Sequence, residues 1–391
     1  MISPSSSSSD RTTSRKSADR AEPSADRTET PRATHPRLRA ALETFPPYIP
    51  GNPPKTVEGL RPYKLSSNEN HLAPLPAVLE TMAAHAVNPA QYPDDSALAL
   101  RRGLAARLGV GIDELIVTAG ASELLVALTQ ITSDASTEAI YPWPSFEMYP
   151  QTTGLAGAGR IEVPNRPDGS HDLDAMAAAI TDRTRLIFLC SPNNPTGPAL
   201  DDRELRDFLA EVPDDVLVAL DEAYWEFVTA EGAARGLDIW ADHPNVVLLR
   251  TFSKAHGLAG LRVGYAVARE PIISGLLKAV IPFGVTALSQ AAALTSLEHW
   301  DEVLERAALI AATRDDFAQA LRAQGWEVPQ AQGNFVWLPL GELSAAFEDA
   351  CVEQSVAVRN LEHGVRISIG EQPGLDRVLD IAAAFRAEHF G

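Results

Sequence analysis

Apolar and polar positions change period along this chain. Residues 97–109 (ALALRRGLAARLG) repeat apolar side chains at helical spacing and stop at Gly109, a residue that ends helices readily. The next run, ELIVTAG (114–120), is short and apolar, and SELLVALTQI (122–131) opens a helix directly after it. EAIYP (138–142) reads as a strand. TRLIFLCSP (184–192) reads as a strand entering a proline-rich loop. DDRELRDFLAEV (201–212) is a helix with an acidic start, and DVLVALDEAY (215–224) a strand ending on acids. NVVLLRTF (245–252) and RVGYAVA (262–268) are two further strands. Short apolar strands alternating with helices predict an α/β fold whose mostly parallel central sheet is covered on both faces. After PFGV (282–285) the pattern is helical through residues 289–325. Two or three strands with helices between them then lead to GVRISIG (364–370) and a last helix, which predicts a second, smaller C-terminal α/β unit. No internal repeat is visible.

The first 36 residues differ. They hold almost no aliphatic side chains, so burial would not offset the entropy lost on ordering them. They read as a disordered tail or an over-long start of translation. They lack the apolar stretch of a secretory signal, and their acids argue against a transit peptide. The expected organisation is a tail over 1–36, an arm with part of the small domain over 37–75, a large domain over 76–284 and a small domain over 285–391.

Charge and composition narrow the function. The net charge of −19, with no basic patch, argues against nucleic-acid binding. No window reaches the roughly 18 consecutive apolar residues of a membrane span. The two cysteines, Cys190 and Cys351, are too far apart in sequence to suggest a disulfide framework, and Cys190 ends an apolar run as a buried small hydrophobe would. A reducing, cytoplasmic location is expected. No metal is implied.

In open α/β sheets, ligands bind beyond the carboxyl ends of the strands, and the polar candidates collect there. Ala121 and Ser122 open a helix, where free N–H groups and the helix dipole favour an anion, although Ser122 would serve equally as a simple cap. No dinucleotide or Walker-type glycine motif is present. SPNNPTG (191–197) places Asn193 and Asn194 in a loop stiffened by prolines. It reads as an ordinary turn or as a trans-locked amide aimed at a ligand. Asp221, Glu222 and Tyr224 end an apolar strand, and a buried acid there needs a partner. Lys254 sits in a Ser- and Gly-rich turn between two strands, beside Thr251, Ser253 and Arg262. Desolvation would lower its pKa, and a neutral amine can form a Schiff base. An amine, a phosphate nest, an acid and a pair of phenolate donors together match pyridoxal 5′-phosphate, which carries an aldehyde, a phosphate, a pyridinium nitrogen and a 3-oxygen.

In this combination the motifs YPD (92–94), SPNNPTG, LDEAY (220–224), RTFSKAHGLAGLRVGY (250–265), NFVWLPLG (334–341) and GVRISIG resemble those of the fold-type I pyridoxal-phosphate aminotransferases, in the histidinol-phosphate aminotransferase branch. The resemblance runs from about residue 47 to the end. It implies that Lys254 is the Schiff-base lysine and proton carrier, that Asp221 pairs with the pyridinium nitrogen, and that Asn194 and Tyr224 bond the 3-oxygen. It implies that Ala121, Ser122, Ser253 and Arg262 hold the phosphate and that Phe146 stacks on the ring. Tyr92 would reach the phosphate of a partner subunit, which calls for a homodimer with shared sites. Tyr48, Asn194, Arg359 and Arg366 would meet the substrate, an amino acid or 2-oxo acid. SFEMYP (145–150), NFVWLPLG and the short segment between Arg359 and Arg366 look more like the phenylalanine/aromatic aminotransferases of actinobacterial type, with Tyr48, Phe146 and Trp337 as an aromatic wall. GASELL (120–125) looks more like the histidinol-phosphate enzymes, which remain the alternative, and His256 stands where the family usually has Tyr or Phe. Phosphothreonine decarboxylases share the scaffold and the lysine. A fused transcription regulator would need a DNA-binding module that the short tail does not supply.

Overall fold

Alternation along the central strands serves two cores at once. In the strand Thr184–Cys190, Leu186, Phe188 and Cys190 pack into one apolar cluster, while Ile187 and Leu189 pack into another. The strand Leu217–Asp221 divides in the same way, with Val218 and Leu220 against Leu217 and Ala219, and so does Val246–Thr251. Successive side chains on a strand point to opposite faces, so a nearly continuous apolar run is what a sheet covered on both sides requires. Truncating a side chain such as Phe188 to alanine would cost about 3–5 kcal/mol.

The coordinates are a computed structural model that describes residues 36, 38–86, 90–361 and 363–390. Nearly all of the polar tail expected over 1–36 lies outside the described residues. The chain from Ala40 onward forms one compact unit. Its strands are β1 (Tyr63–Lys64), β2 (Leu115–Thr118), β3 (Glu138–Trp143), β4 (Gly159–Pro164), β5 (Thr184–Cys190), β6 (Leu217–Asp221), β7 (Val246–Thr251), β8 (Gly264–Val267), β9 (Phe335–Leu338), β10 (Val356–Ala357), β11 (Arg359–Asn360) and β12 (Val365–Ser368). The seven-stranded sheet has the order β2-β8-β7-β6-β5-β3-β4, and β8 alone runs against the others. A three-stranded antiparallel sheet, β11-β12-β9, and the short parallel pair β1-β10 come mostly from the C-terminal part.

Two local readings change. The helical pattern over 289–325 is two helices, Ala287–Glu298 and Trp300–Ala323. His299 separates them with a non-helical backbone (φ −100°, ψ 34°), and its Nδ1 lies 2.6 Å from Glu302 in the first turn of the second helix. Apolar periodicity does not reveal such a break, because both helices keep an apolar face. The Ser191–Pro192 and Asn194–Pro195 bonds are cis rather than the expected trans.

Candidate active site

The strand alternation that fills the cores also decides where the charges go. Asp221 continues the face of Leu217 and Ala219, while the next residue, Glu222, turns the other way. Glu222 accepts from Arg250 Nε (2.9 Å) and Nη2 (2.7 Å) and from the Gly236 N–H (2.8 Å), a fully buried structural ion pair. Asp221 lies instead against a cavity of about 420 Å³. Its Oδ2 accepts from the Tyr149 hydroxyl (3.1 Å) and its Oδ1 from the Ala223 N–H (3.1 Å). Tyr149 is itself held by stacking on Phe188, with ring centroids 4.7 Å apart. Burial pushes the Asp221 carboxyl up to about 6, while its two hydrogen bonds and the Lys254 charge pull it back down. A carboxyl so placed gains by taking a cationic partner.

Lys254 lines the same cavity. Its Nζ lies 3.4 Å from the Ser67 carbonyl, 3.3 Å from the Asn68 carbonyl and 5.4 Å from the centre of the Tyr224 ring. Loss of water lowers its pKa to about 7, and repulsion from Arg366 and Arg262 adds to the shift, while Glu69 and Asp221 oppose it. Near neutrality a substantial fraction of this amine is therefore uncharged and nucleophilic.

The anion cradle is tight. The helix Ala121–Thr132 begins at Gly120, whose φ of +85° favours glycine. A Cβ added at Gly120 would sit 2.5 Å from Arg262 Nη2, and one at Gly264 would strike the Ala121 backbone nitrogen. Gly120, not Ser122, occupies the cap position, which leaves the Ser122 hydroxyl in the first turn facing the cavity. Arg262, with the unusual φ of +53°, donates to Ala259 O (3.0 Å) and reaches Ser253 Oγ (3.5 Å), which also accepts from Thr251 (3.0 Å). Glu123 turns away and accepts from the Ala119 and Ile281 N–H groups.

Asn194 and Tyr224 line the same cavity. Asn194 Oδ1 accepts from Arg366 Nη1 (2.5 Å), so its amide N–H₂ remains the donor. The Tyr224 oxygen accepts from Asn68 Nδ2 (3.0 Å), and burial raises its pKa far enough to keep the phenol protonated and able to donate. The donor set therefore fits pyridoxal 5′-phosphate. It combines an anion cradle with no room for side chains, a buried carboxyl, two donors for a ring oxygen and one weakly basic amine.

Phe146, Tyr48, Arg359 and Arg366 line the cavity as well. Two other named residues lie outside it, Tyr92, which was expected to serve a partner's site, and Trp337, which was expected in this one. Tyr92 is 82% exposed and packs on Phe283, with ring centroids 4.7 Å apart. Trp337 is buried on β9 opposite Arg366 and does not line the cavity, so the expected aromatic wall lacks it, whereas Met148 lines the cavity together with Phe146. His256 is a core residue, 2.7 Å from Ser296 Oγ and packed on Phe252 and Trp300; burial lowers its pKa to about 3. Sequence reasoning missed Asn68, Tyr149 and Glu147. Asn68 bonds Tyr224, Ser368 and Asn334 from a left-handed backbone (φ +53°). Asparagine in a polar loop was the sole local signal for that conformation.

Comparison with known proteins identifies the family. The family described as aminotransferase class I and II matches residues 62–381. The aromatic amino acid aminotransferase of Streptomyces coelicolor is 49% identical over 356 residues, covering 91% of this chain and 99% of that protein. The enzyme of the same name from Rhodococcus jostii is 49% identical, covering 90% and 97%. Histidinol-phosphate aminotransferase from Sinorhizobium meliloti, solved in complex with pyridoxal-5′-phosphate, superposes with a TM-score of 0.80 at 23% identity, covering 91% of this chain and 99% of that one, a likeness of fold. The chain belongs to the class I and II aminotransferases.

Proposed function

We propose that this enzyme transfers amino groups between aromatic amino acids, phenylalanine or tyrosine, and a 2-oxo acid such as 2-oxoglutarate. The observation that carries the substrate class is the near-full-length identity of 49% to an enzyme named aromatic amino acid aminotransferase. The cavity supports it. Tyr48, Phe146 and Met148 offer apolar surface, and the charge of Arg359 is already paired. Aromatic rings gain from such walls by area burial and by ring contacts of about 0.5–1.5 kcal/mol each.

Bound in this cavity, pyridoxal 5′-phosphate supplies the aldehyde that captures an amine and the ring that withdraws electrons. The chain's own groups do the rest. Ala121, Ser122, Ser253 and Arg262 bind the phosphate. Asp221, oriented by Tyr149, keeps a proton on the ring nitrogen. Asn194 and Tyr224 donate to the 3-oxygen. Arg366 grips the substrate carboxylate with its planar fork. Lys254 Nζ, weakly basic, carries a proton to and from the substrate's α-carbon. Tyr92, exposed on its own subunit, serves the phosphate of a partner in a homodimer. The enzyme works in the cytoplasm, in keeping with two buried free cysteines.

The test is a donor panel with 2-oxoglutarate. Phenylalanine and tyrosine should exceed histidinol phosphate in kcat/KM. At least tenfold preference for histidinol phosphate would overturn the aromatic reading, and product formation without any 2-oxo acid would point to decarboxylation instead.

A further inference from the structure

Arg359 and Arg366 face each other across the hairpin β11–β12, and both line the cavity. Their partners differ. Arg366 donates to Asn194 Oδ1 and to the Ser66 carbonyl (2.7 Å), and its buried Nε has no partner among the described residues. No carboxylate lies within ion-pair distance of it among the described residues. Such a buried cation calls for an anion from outside. Arg359 is already committed. Its Nη2 donates to both carboxylate oxygens of Glu147 (2.9 Å each) and to Ile49 O (2.6 Å), and its Nη1 to Pro50 O (3.2 Å). The two side chains are only 10% and 29% exposed. Glu147 stands between Phe146 and Met148, both of which line the cavity, and the carbonyls that Arg359 holds belong to the two residues that follow Tyr48.

We propose that Glu147 sets side-chain selectivity: by pairing with Arg359 it cancels the second positive charge of the substrate end, so that the pocket holds one carboxylate at Arg366 and disfavours a second anionic group. This rests on the proposed function above, with Arg366 as the carboxylate site. A phosphate or a distal carboxylate must compete with Glu147 for Arg359 or remain unpaired, and like charge at close range is what rejects a wrong partner. An uncharged aromatic ring meets neither cost. The penalty falls on a dicarboxylic acceptor too, so the pair also limits how tightly 2-oxoglutarate is held. Glu147 is a positioning residue that acts through Arg359.

The experiment measures dissociation constants of two unreactive ligands for the cofactor-loaded enzyme by calorimetric titration. Glutarate and 3-phenylpropionate each carry one carboxylate for Arg366 and differ at the far end. Glu147→Gln should tighten glutarate by about tenfold or more, the scale of a released charge pair. It should move 3-phenylpropionate by less than about threefold, within the usual range for a site whose own contacts are kept. Glu147→Asp, which keeps the charge, should retain the wild-type ratio. The gain for glutarate should vanish when Glu147→Gln is combined with Arg359→Leu. Parallel shifts of both ligands, an unchanged glutarate constant, or a gain that survives loss of Arg359 would overturn the proposal. The donor panel judges the aromatic reading, which a preference for histidinol phosphate would sink, whereas the effect of Glu147→Gln on the ratio of the two constants judges the role of Glu147 separately.

Discussion

The two ends of the cavity are built in different ways. The end with Lys254 and Asp221 is framed by the carboxyl ends of β5, β6 and β7 and by one helix start, all between residues 115 and 267. The end with Arg366 is a seam. Ser66 O accepts from Arg366 across 300 positions, Ile49 O from Arg359 across 310, and Glu147 from Arg359 across 212. A stiff sheet edge holds reacting groups in register. A seam of arm, loop and hairpin can change its contents without disturbing that register. The first end should therefore govern whether the reaction occurs, and the second which molecule undergoes it.

The sharpest way to break this division is Lys254→Ala, which should abolish transamination with every donor. In the wild type, borohydride reduction followed by peptide mapping should place the pyridoxyl group on Lys254. A label on another lysine would remove the centre from the comparison. Asp221→Ala should leave the fold intact and lower turnover with all donors alike. A charge-assisted bond of this kind is worth about 1.5–3 kcal/mol, or roughly ten- to a hundredfold in rate. Steady-state kinetics that show the loss for only one donor would blur the two ends into one. Arg366→Lys tests the seam. Losing the planar fork should raise KM about tenfold for every substrate carboxylate, with a smaller change in kcat. A collapse of kcat alone would assign Arg366 to the chemistry.

Smaller effects sharpen the picture. Mixing inactive Lys254→Ala with an impaired Tyr92→Phe variant should restore part of the activity, because one hybrid site then has both intact residues. No recovery would show that Tyr92 does not act across the interface. The smallest effect is on cofactor uptake by the cofactor-free chain. Lys254 has its pKa lowered to about 7, so the neutral amine increases as pH rises. Uptake should fall about fivefold from pH 7 to 6 and rise about twofold from pH 7 to 8, following the neutral fraction. A stopped-flow absorbance profile that is flat over this range would show that the amine is not the titrating group.

Much of the first end was legible in the sequence. Lys254, Asp221, Ser122 and Asn194 follow apolar strands directly, and a strand end tells where its next side chain will lie. Even the opposite fates of Asp221 and Glu222 follow from a period of two. The second end left weaker traces. Nothing in PSFEMYP says that Glu147 will meet Arg359 or that Tyr149 will bond Asp221, and nothing around Asn68 says that it will hold Tyr224. Trp337 looked available for the wall, and it does share a face with Arg366, its register partner on β12, but the strand pattern does not say how far along that face the cavity reaches.

By itself, the sequence determined the alternation of strands and helices, the two-faced burial of the central sheet, and the delivery of an amine, an acid and a helix start to the same edge. Those properties depend on neighbours one to four positions away, through the pitch of strands and helices. Tertiary structure alone decided that His299 divides a helix, that Gly120 rather than Ser122 caps one, and that two arginines seven positions apart part company, one paired with Glu147 and the other keeping a buried Nε without a partner among the described residues. These outcomes depend on which distant groups share a small dry volume. There, burial makes every unpaired charge expensive, and only the assembled fold establishes which of them find a partner.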